Sequence, residues 1–141
     1  MRLVTFLFSL CCYLSAFSQT FPCDGDLLLS TNSGSGFTTI YRIEFGSFGL
    51  IFYNQINQYS GGSFNALGFN PRDNYIYAAK ANSNELVRLK ADNTYEVIGQ
   101  VPDLDKLTTT AGACTSDGFY LCHDQVLDPV SYTHLTLPTK A

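Results

Sequence analysis

Asn65-Ala66-Leu67-Gly68-Phe69-Asn70-Pro71-Arg72-Asp73-Asn74-Tyr75-Ile76-Tyr77-Ala78-Ala79-Lys80 decides how this chain folds. Two apolar runs flank one polar bend. Pro71 fixes φ at the second position of a type I turn, and Asn74 tolerates the left-handed backbone that completes a hairpin. The run 75–79 offers no hydrophilic side chain to either face. A strand of that kind is covered on both sides, as an inner strand of stacked sheets is.

The bend recurs along the chain. Asp24-Gly25-Asp26-Leu27-Leu28-Leu29, Asp73-Asn74-Tyr75-Ile76-Tyr77-Ala78 and Asp117-Gly118-Phe119-Tyr120-Leu121-Cys122 each begin with Asp followed by Gly or Asn and run into an apolar strand. Gly and Asn suit such tight bends because both accept positive φ. Further matches keep register. Ile40-Tyr41-Arg42-Ile43-Glu44 parallels Leu86-Val87-Arg88-Leu89-Lys90, and Leu50-Ile51-Phe52-Tyr53 parallels Tyr95-Glu96-Val97-Ile98. Upstream of the bend, Gly68-Phe69-Asn70-Pro71-Arg72 parallels Gly112-Ala113-Cys114-Thr115-Ser116.

The best-defined unit therefore predicts four strands, at 65–70, 75–80, 85–91 and 95–101. In the third, Val87, Leu89 and Ala91 alternate with Arg88 and Lys90, the pattern of a half-buried strand. The matching strand of the preceding unit sets Tyr41, Ile43 and Phe45 on one face and Arg42 and Glu44 on the other. Four short antiparallel strands recurring at roughly 40 to 50 residues are the pattern of a propeller blade. A β-sandwich needs about seven strands at regular spacing and is the main rival, but it does not explain the repeat. The expected fold is all-β: antiparallel four-stranded blade-like repeats, a partial β-propeller, after an N-terminal signal helix.

Three segments follow: a signal peptide at 1–18, the repeat domain at 19–129, and a tail at 130–141 that does not belong with it. Met1-Arg2 is basic, residues 3–17 are apolar and uncharged, and Ala16-Phe17-Ser18 places small residues where a signal peptidase cuts. The run is short for a membrane span, and no later run could cross a bilayer. The expected location is secreted or at the cell surface. Cys11 and Cys12 leave with the signal. Cys23, Cys114 and Cys122 then remain in an oxidising compartment, an odd number.

The net charge of −4, with 14% of residues charged and 14% aromatic, argues against a nucleic-acid partner. Phosphate binding needs a basic stripe, and the Lys and Arg residues here are scattered.

Phe21-Pro22-Cys23-Asp24-Gly25 after a signal peptide, together with Ala66-Leu67-Gly68-Phe69-Asn70-Pro71-Arg72-Asp73-Asn74-Tyr75-Ile76-Tyr77, resembles a family of long bacterial surface proteins. Those proteins carry propeller-like domains of unknown function. The resemblance spans most of 21–125 and rests on turns and strands. It implies a non-catalytic binding or adhesion role, and a longer chain with further modules. The tail Val130-Ser131-Tyr132-Thr133-His134-Leu135-Thr136-Leu137-Pro138-Thr139 resembles a translated transposon-end adapter of the kind used to prepare sequencing libraries. It implies a gene cut near Pro129, and it removes His134 and Lys140 from functional consideration. Read simply as sequence, 130–137 could also be an edge strand.

Candidate sites are few. Cys114 and Cys122 flank the 115–118 turn, so a hairpin could bring them together as a disulfide if their Cα atoms come close enough. Alternatively, Cys23 pairs with a residue elsewhere, or the thiols pack as small hydrophobes. A zinc site from Cys114, Cys122 and His123 is disfavoured, because neighbouring Cys122 and His123 point to opposite faces of a strand. Asp24 with Asp26, and Asp103 with Asp105, suggest Ca²⁺ in loops, but two carboxylates fall short of its ligand number; solvated turns fit better. No Gly-x-Ser-x-Gly elbow appears, and the Gly-rich stretches 61–63 and 33–36 lack the ending of a phosphate cradle. Tyr41, Tyr53, Tyr59, Tyr75, Tyr77 and Tyr95 could stack on sugars, although aromatics of blade strands are more often core.

No catalytic, cofactor or metal residue is expected. The expected partners are an extracellular protein or glycan and further blades of the same chain, with no nucleic acid and no membrane span in the mature chain. The competing expectation is the N-terminal part of an extracellular hydrolase or lyase acting on polysaccharide, with its catalytic groups elsewhere.

Overall fold

The computed structural model describes residues 20–22, 24–33, 36–101, 109–124 and 132–136. These form ten strands: β1 (Leu27–Ser33), β2 (Phe37–Phe45), β3 (Ile51–Ser60), β4 (Phe64–Asn70), β5 (Tyr75–Lys80), β6 (Glu85–Leu89), β7 (Tyr95–Gln100), β8 (Thr109–Cys114), β9 (Phe119–Asp124) and β10 (Tyr132–Thr136). The only helical element among them is a short 3₁₀ turn at Ser47–Gly49. The protein is all-β, as its sequence predicts. The signal segment, Cys23 and the Asp103–Asp105 pair lie outside the described residues. Of the tail, 132–136 is described and forms β10, the edge of its sheet.

The strands make three antiparallel sheets in the orders β1-β2-β3, β4-β5-β6-β7 and β10-β9-β8. The middle sheet is the complete unit, and its strands fall at the predicted positions to within two residues. The predicted bend is present: Asn74 has φ 60°, and its N–H donates to the Asn70 carbonyl at 2.9 Å. Asn82 and Asn93 take the same left-handed conformation in the next two turns. Each turn is also tied locally by a side chain. The Asp73 carboxylate accepts from the Tyr75 N–H at 3.1 Å, and Asp92 accepts from the Thr94 N–H at 3.0 Å.

Alternation along β5 sends its side chains to two different cores. Ile76 and Ala78 join Phe21, Ile40, Tyr59, Phe64, Val87 and Leu89 between the first and middle sheets. Tyr77 and Ala79 join Ala66, Leu86, Val101, Tyr120 and Cys122 between the middle and last sheets. The double burial expected of β5 follows directly, since the middle sheet is sandwiched.

β4 serves both cores through a bulge. Its register with β5 shifts between Asn65 and Gly68, and Ala66 sits at φ 54°. Phe64 faces the first sheet, Ala66 faces the last, and Leu67 and Phe69 turn back towards the first.

Backbones meet where β4 crosses β8. A methyl group on Gly112 would fall 1.9 Å from the Ala66 carbonyl oxygen, and one on Gly68 would fall 2.8 Å from the Ala113 carbonyl carbon. The Tyr120 hydroxyl donates to the same Ala66 carbonyl. The parallel between Gly68 and Gly112 seen in the sequence is thus a packing requirement at one crossing.

The first sheet departs from expectation in one respect. Its packed face is the one carrying Thr38, Ile40 and Arg42, whereas Tyr41, Ile43 and Phe45 look outwards. The cause is a polar clasp that holds the other face to β4. The Thr38 hydroxyl accepts from the Phe64 N–H at 2.8 Å and donates to Asn32 Oδ1 at 2.6 Å, while Asn32 Nδ2 donates to the Phe64 carbonyl at 3.0 Å. Asn57 Nδ2 donates to the Ala91 carbonyl at 2.9 Å, and the Tyr59 hydroxyl donates to Lys90 at 2.8 Å. Buried polar groups of this kind fix register because each is costly to leave unpaired.

Replacing Gly112 with Ala is expected to lower stability by about 2–3 kcal/mol, because backbone must move to admit the methyl group. Gly99→Ala, whose methyl group would meet nothing within 4 Å, is expected to change stability by less than about 0.5 kcal/mol. Urea denaturation of the two variants checks the contrast.

Candidate functional site

Two surface features remain once the cores are accounted for. The first is a cleft of about 700 Å³ between the first and middle sheets. Leu28 of β1, Ile40 and Arg42 of β2, Leu67 and Phe69 of β4, and Phe21 line it. Phe21 is placed by a backbone bond, its N–H donating to the Asn74 carbonyl at 2.8 Å. Leu28, Leu67 and Phe69 are only partly buried against the core beneath them.

One end of the cleft is ionic. Arg42 pairs with Asp26, and lies 3.9 Å from Asp24. The two turn carboxylates of the first unit therefore answer a guanidinium and also sit at the solvent edge. Asn32 and Asn65 close the other end, with Asn32 Nδ2 donating to Asn65 Oδ1. Sequence reasoning singled out the Asp pair and missed its partner. The signal was present in the alignment of Arg42 with Arg88, each a cation between two apolar neighbours in its strand.

The second feature is the outward face of the first sheet. Cross-strand pairs Leu27–Ile43, Leu29–Tyr41, Ile43–Tyr53 and Phe45–Ile51 place apolar side chains side by side. Phe45 is 71% exposed, Tyr53 57% and Leu27 54%. Apolar groups exposed side by side in this way form the largest such grouping among the described residues of the first sheet.

The middle sheet explains why the remaining tyrosines and charges are structural. Tyr59 and Tyr77 are fully buried. The Tyr77 hydroxyl donates to Asp73 Oδ2 at 2.7 Å, and burial, followed by the Asp73 contact, pushes its pKa up. Burial likewise raises Tyr59 and Tyr120. Tyr75 is half-buried, with the Arg88 guanidinium 4.5 Å from its ring centre. Of the six tyrosines considered for sugar stacking, Tyr53 is the exposed one.

Arg88 and Lys90 both reach Glu96 at 2.9 Å across the β6–β7 pair. These contacts hold the Glu96 carboxyl below the usual carboxylate range, the Lys90 hydrogen bond contributing most and Arg88 next.

The cysteines do not meet as a cross-strand pair. The register sets Cys122 opposite Gly112 and Cys114 opposite Tyr120. Diagonal neighbours in a sheet are roughly 7–8 Å apart, beyond the usual Cα separation of a disulfide. Cys114 is a free thiol whose Sγ contacts the Gly68 carbonyl oxygen at 3.3 Å. Burial first, and the Asp73 charge second, push its pKa up to about 12. His123 occupies β9 next to Cys122, with its Cα opposite Ala111. Among the described residues no group of three or more His, Cys, Asp or Glu side chains gathers as a metal site, and no helix is long and apolar enough to cross a membrane.

These sheets, bends and glycine crossings define an all-β repeat protein. The chain belongs to the family described as a repeat of unknown function, DUF6923, whose profile matches residues 28–134. No curated protein matches the chain. The matched segment opens one residue into β1 and closes inside β10, so it takes in all three sheets.

Two measurements probe these sites. At pH 8, iodoacetamide is expected to label Cys114 in the folded chain at least about 100-fold more slowly than in urea, because the buried thiol stays protonated; peptide mapping reads the site. Glu96→Gln is expected to cost about 0.5 kcal/mol at pH 7, after solvent screening of a partly exposed pair. A carboxyl with a lowered native pKa stabilises the fold above its unfolded pKa and ceases to do so as pH falls through the native value. The difference between Glu96→Gln and the parent should therefore shrink as pH falls below the ordinary carboxylate range and be lost once it passes the lowered native value, as denaturation across pH will show.

Proposed function

We propose that this protein is an exported, non-catalytic repeat domain that acts by binding, in the manner of an adhesion module, and that its sheets are successive blades of a propeller-like ring. The observation that carries this is the outward apolar face of the first sheet. Stacking has one direction throughout. The β9 face with Tyr120 and Cys122 lies on the middle sheet, and the β5 face with Ile76 and Ala78 lies on the first. In the aligned bends Ile76 matches Leu27 and Tyr120. Leu27 and Leu29 therefore belong to the same backward-looking face, and a further sheet of the same kind fits against them. A ring supplies that sheet and leaves the turn loops at its ends free for recognition.

The signal-like start supports export. A partner bound through the loops is an extracellular protein or glycan.

Expressed with its own N-terminus in a bacterial host, the protein is expected outside the cytoplasm, with mature sequence beginning at Gln19. On glycan and matrix-protein arrays it should bind saturably and leave the bound material intact. Retention in the cytoplasm with residues 1–18 attached would refute export. Release of reducing ends from a polysaccharide would favour the hydrolase or lyase alternative.

A further inference from the structure

The hairpin that joins β2 to β3 ends in Phe45-Gly46-Ser47-Phe48-Gly49-Leu50-Ile51-Phe52. Ser47 carries its one polar side chain, and no Asp, Glu, Lys, Arg or His occurs from Phe45 to Pro71. β1 pairs with β2 only as far as Ile43. The last two cross-strand pairs, Glu44–Phe52 and Phe45–Ile51, therefore project past β1 and carry the turn with them. None of the residues from Phe45 to Phe52 joins either core.

The apex holds its residue in a conformation that the residue disfavours. Phe48 has φ 63° and Gly49 has φ 76°. The Gly46 N–H donates to the Leu50 carbonyl at 2.8 Å, and the Leu50 N–H donates to the Ser47 carbonyl at 3.5 Å. Successive left-handed positions in a hairpin turn favour Asn, Asp and Gly. This chain follows that preference at Asn74, Asn82 and Asn93. At the β2–β3 apex it places a bulky aromatic instead, and that side chain is fully exposed, so no packing offsets the strain. A departure from local preference that the fold does not reward marks a position kept for function.

Shape narrows what meets the tip. Phe45 and Ile51 stand on the outward face of the first sheet, and Phe52 stands on the opposite face. The Phe52 ring lies over Gly46, where a methyl group would fall 2.6 Å from it. Phe48 crowns the turn between the two faces, and Leu50 beside it is more than half exposed. A covering sheet, from a neighbouring unit or a second copy, meets one face and leaves the other in water. A fluid apolar medium surrounds the tip on every side. Entering it desolvates no ion, and the bonds across the turn already satisfy part of its backbone. Apolar side chains seated at the boundary between headgroups and acyl chains hold proteins to bilayers in this way. The net charge of −4, with scattered cations, favours a zwitterionic surface over an anionic one.

We propose that the β2–β3 tip is a peripheral membrane anchor, which seats Phe48 deepest in the interface of a zwitterionic lipid bilayer, with Phe45, Leu50, Ile51 and Phe52 around it. The tip dips into one leaflet and does not span the bilayer. The anchor goes beyond the adhesion reading and needs neither a ring nor a glycan ligand. Arrays of glycans and matrix proteins carry no lipid, so the two readings fail separately.

The chain contains no tryptophan, so Phe48→Trp puts a single emitter at the apex. The full chain carrying it is mixed with phosphatidylcholine vesicles whose acyl chains bear bromine, a quencher that acts on contact. Emission is expected to fall at least about twofold against unbrominated vesicles, because the apex reaches the acyl boundary. Val97→Trp, at an exposed position of β7, is expected to keep its emission. Because quenching is local, the apolar segment 3–17 cannot mimic this contrast. Adding Phe45→Ser and Leu50→Ser to Phe48→Trp is expected to raise the lipid concentration for half-quenching at least about tenfold. Phe48→Asn relaxes the turn and is expected to leave the urea midpoint no lower than that of the parent. Unquenched Phe48→Trp emission would overturn the proposal, as would equal quenching of Val97→Trp or quenching that requires phosphatidylserine. A lower urea midpoint for Phe48→Asn would assign Phe48 to the fold, which also overturns it. A dimer in sedimentation that Phe48→Asn dissolves, without quenching by lipid, would assign the tip to a second copy and overturn it too.

Discussion

A strand with apolar side chains on both faces cannot be stable in a sheet that touches water on either side, and β5 imposes that condition on everything around it. Ile76 and Ala78 demand one covering sheet, and Tyr77 and Ala79 demand another. Burying side chains of this size contributes about 1.5–3 kcal/mol each for the larger ones, far more than any turn or surface ion pair in the molecule. The three-layer stack is the smallest arrangement that meets both demands.

How closely the layers approach is set by backbone instead of side chains. At the β4–β8 crossing two glycines remove the methyl groups that would hold the strands apart, and a bulge at Ala66 turns its carbonyl towards Tyr120. The same bulge divides β4 between the two cores. On the other side of the middle sheet the spacing is kept by polar groups. Thr38, Asn32, Asn57 and Tyr59 all bond to backbone of the neighbouring sheet. Their partners are specific atoms, so they select one register where an apolar contact would allow several. Similar sheets therefore meet through two different interfaces, one brought close by glycines, the other pinned by side-chain hydrogen bonds to backbone.

Directionality follows from the repeat. Each unit presents one kind of face backwards and another forwards, and the backward face of the first sheet carries the exposed apolar side chains Leu27, Leu29, Phe45, Ile51 and Tyr53.

The sequence by itself determined the strands of the middle unit, the bend at Asn70–Asn74, the double burial of β5 and the all-β class. Each rests on local chemistry: alternation of side chains, the fixed φ of Pro71, and the tolerance of Asn74 for positive φ. It also marked Gly68 and Gly112 as equivalent, without showing that they meet at one crossing. Only the tertiary structure decided which face of β2 is packed, because Thr38 and Asn32 find their partners on β4, far along the chain. It alone set Cys114 opposite Tyr120 and away from Cys122, since that register is fixed at the 115–118 turn, where the Thr115 N–H donates to the Phe119 carbonyl. It alone placed Leu67 and Phe69 beside Leu28 of β1. A cleft is a relation between elements distant in sequence, and the pattern within any one of them carries no record of the gap between them.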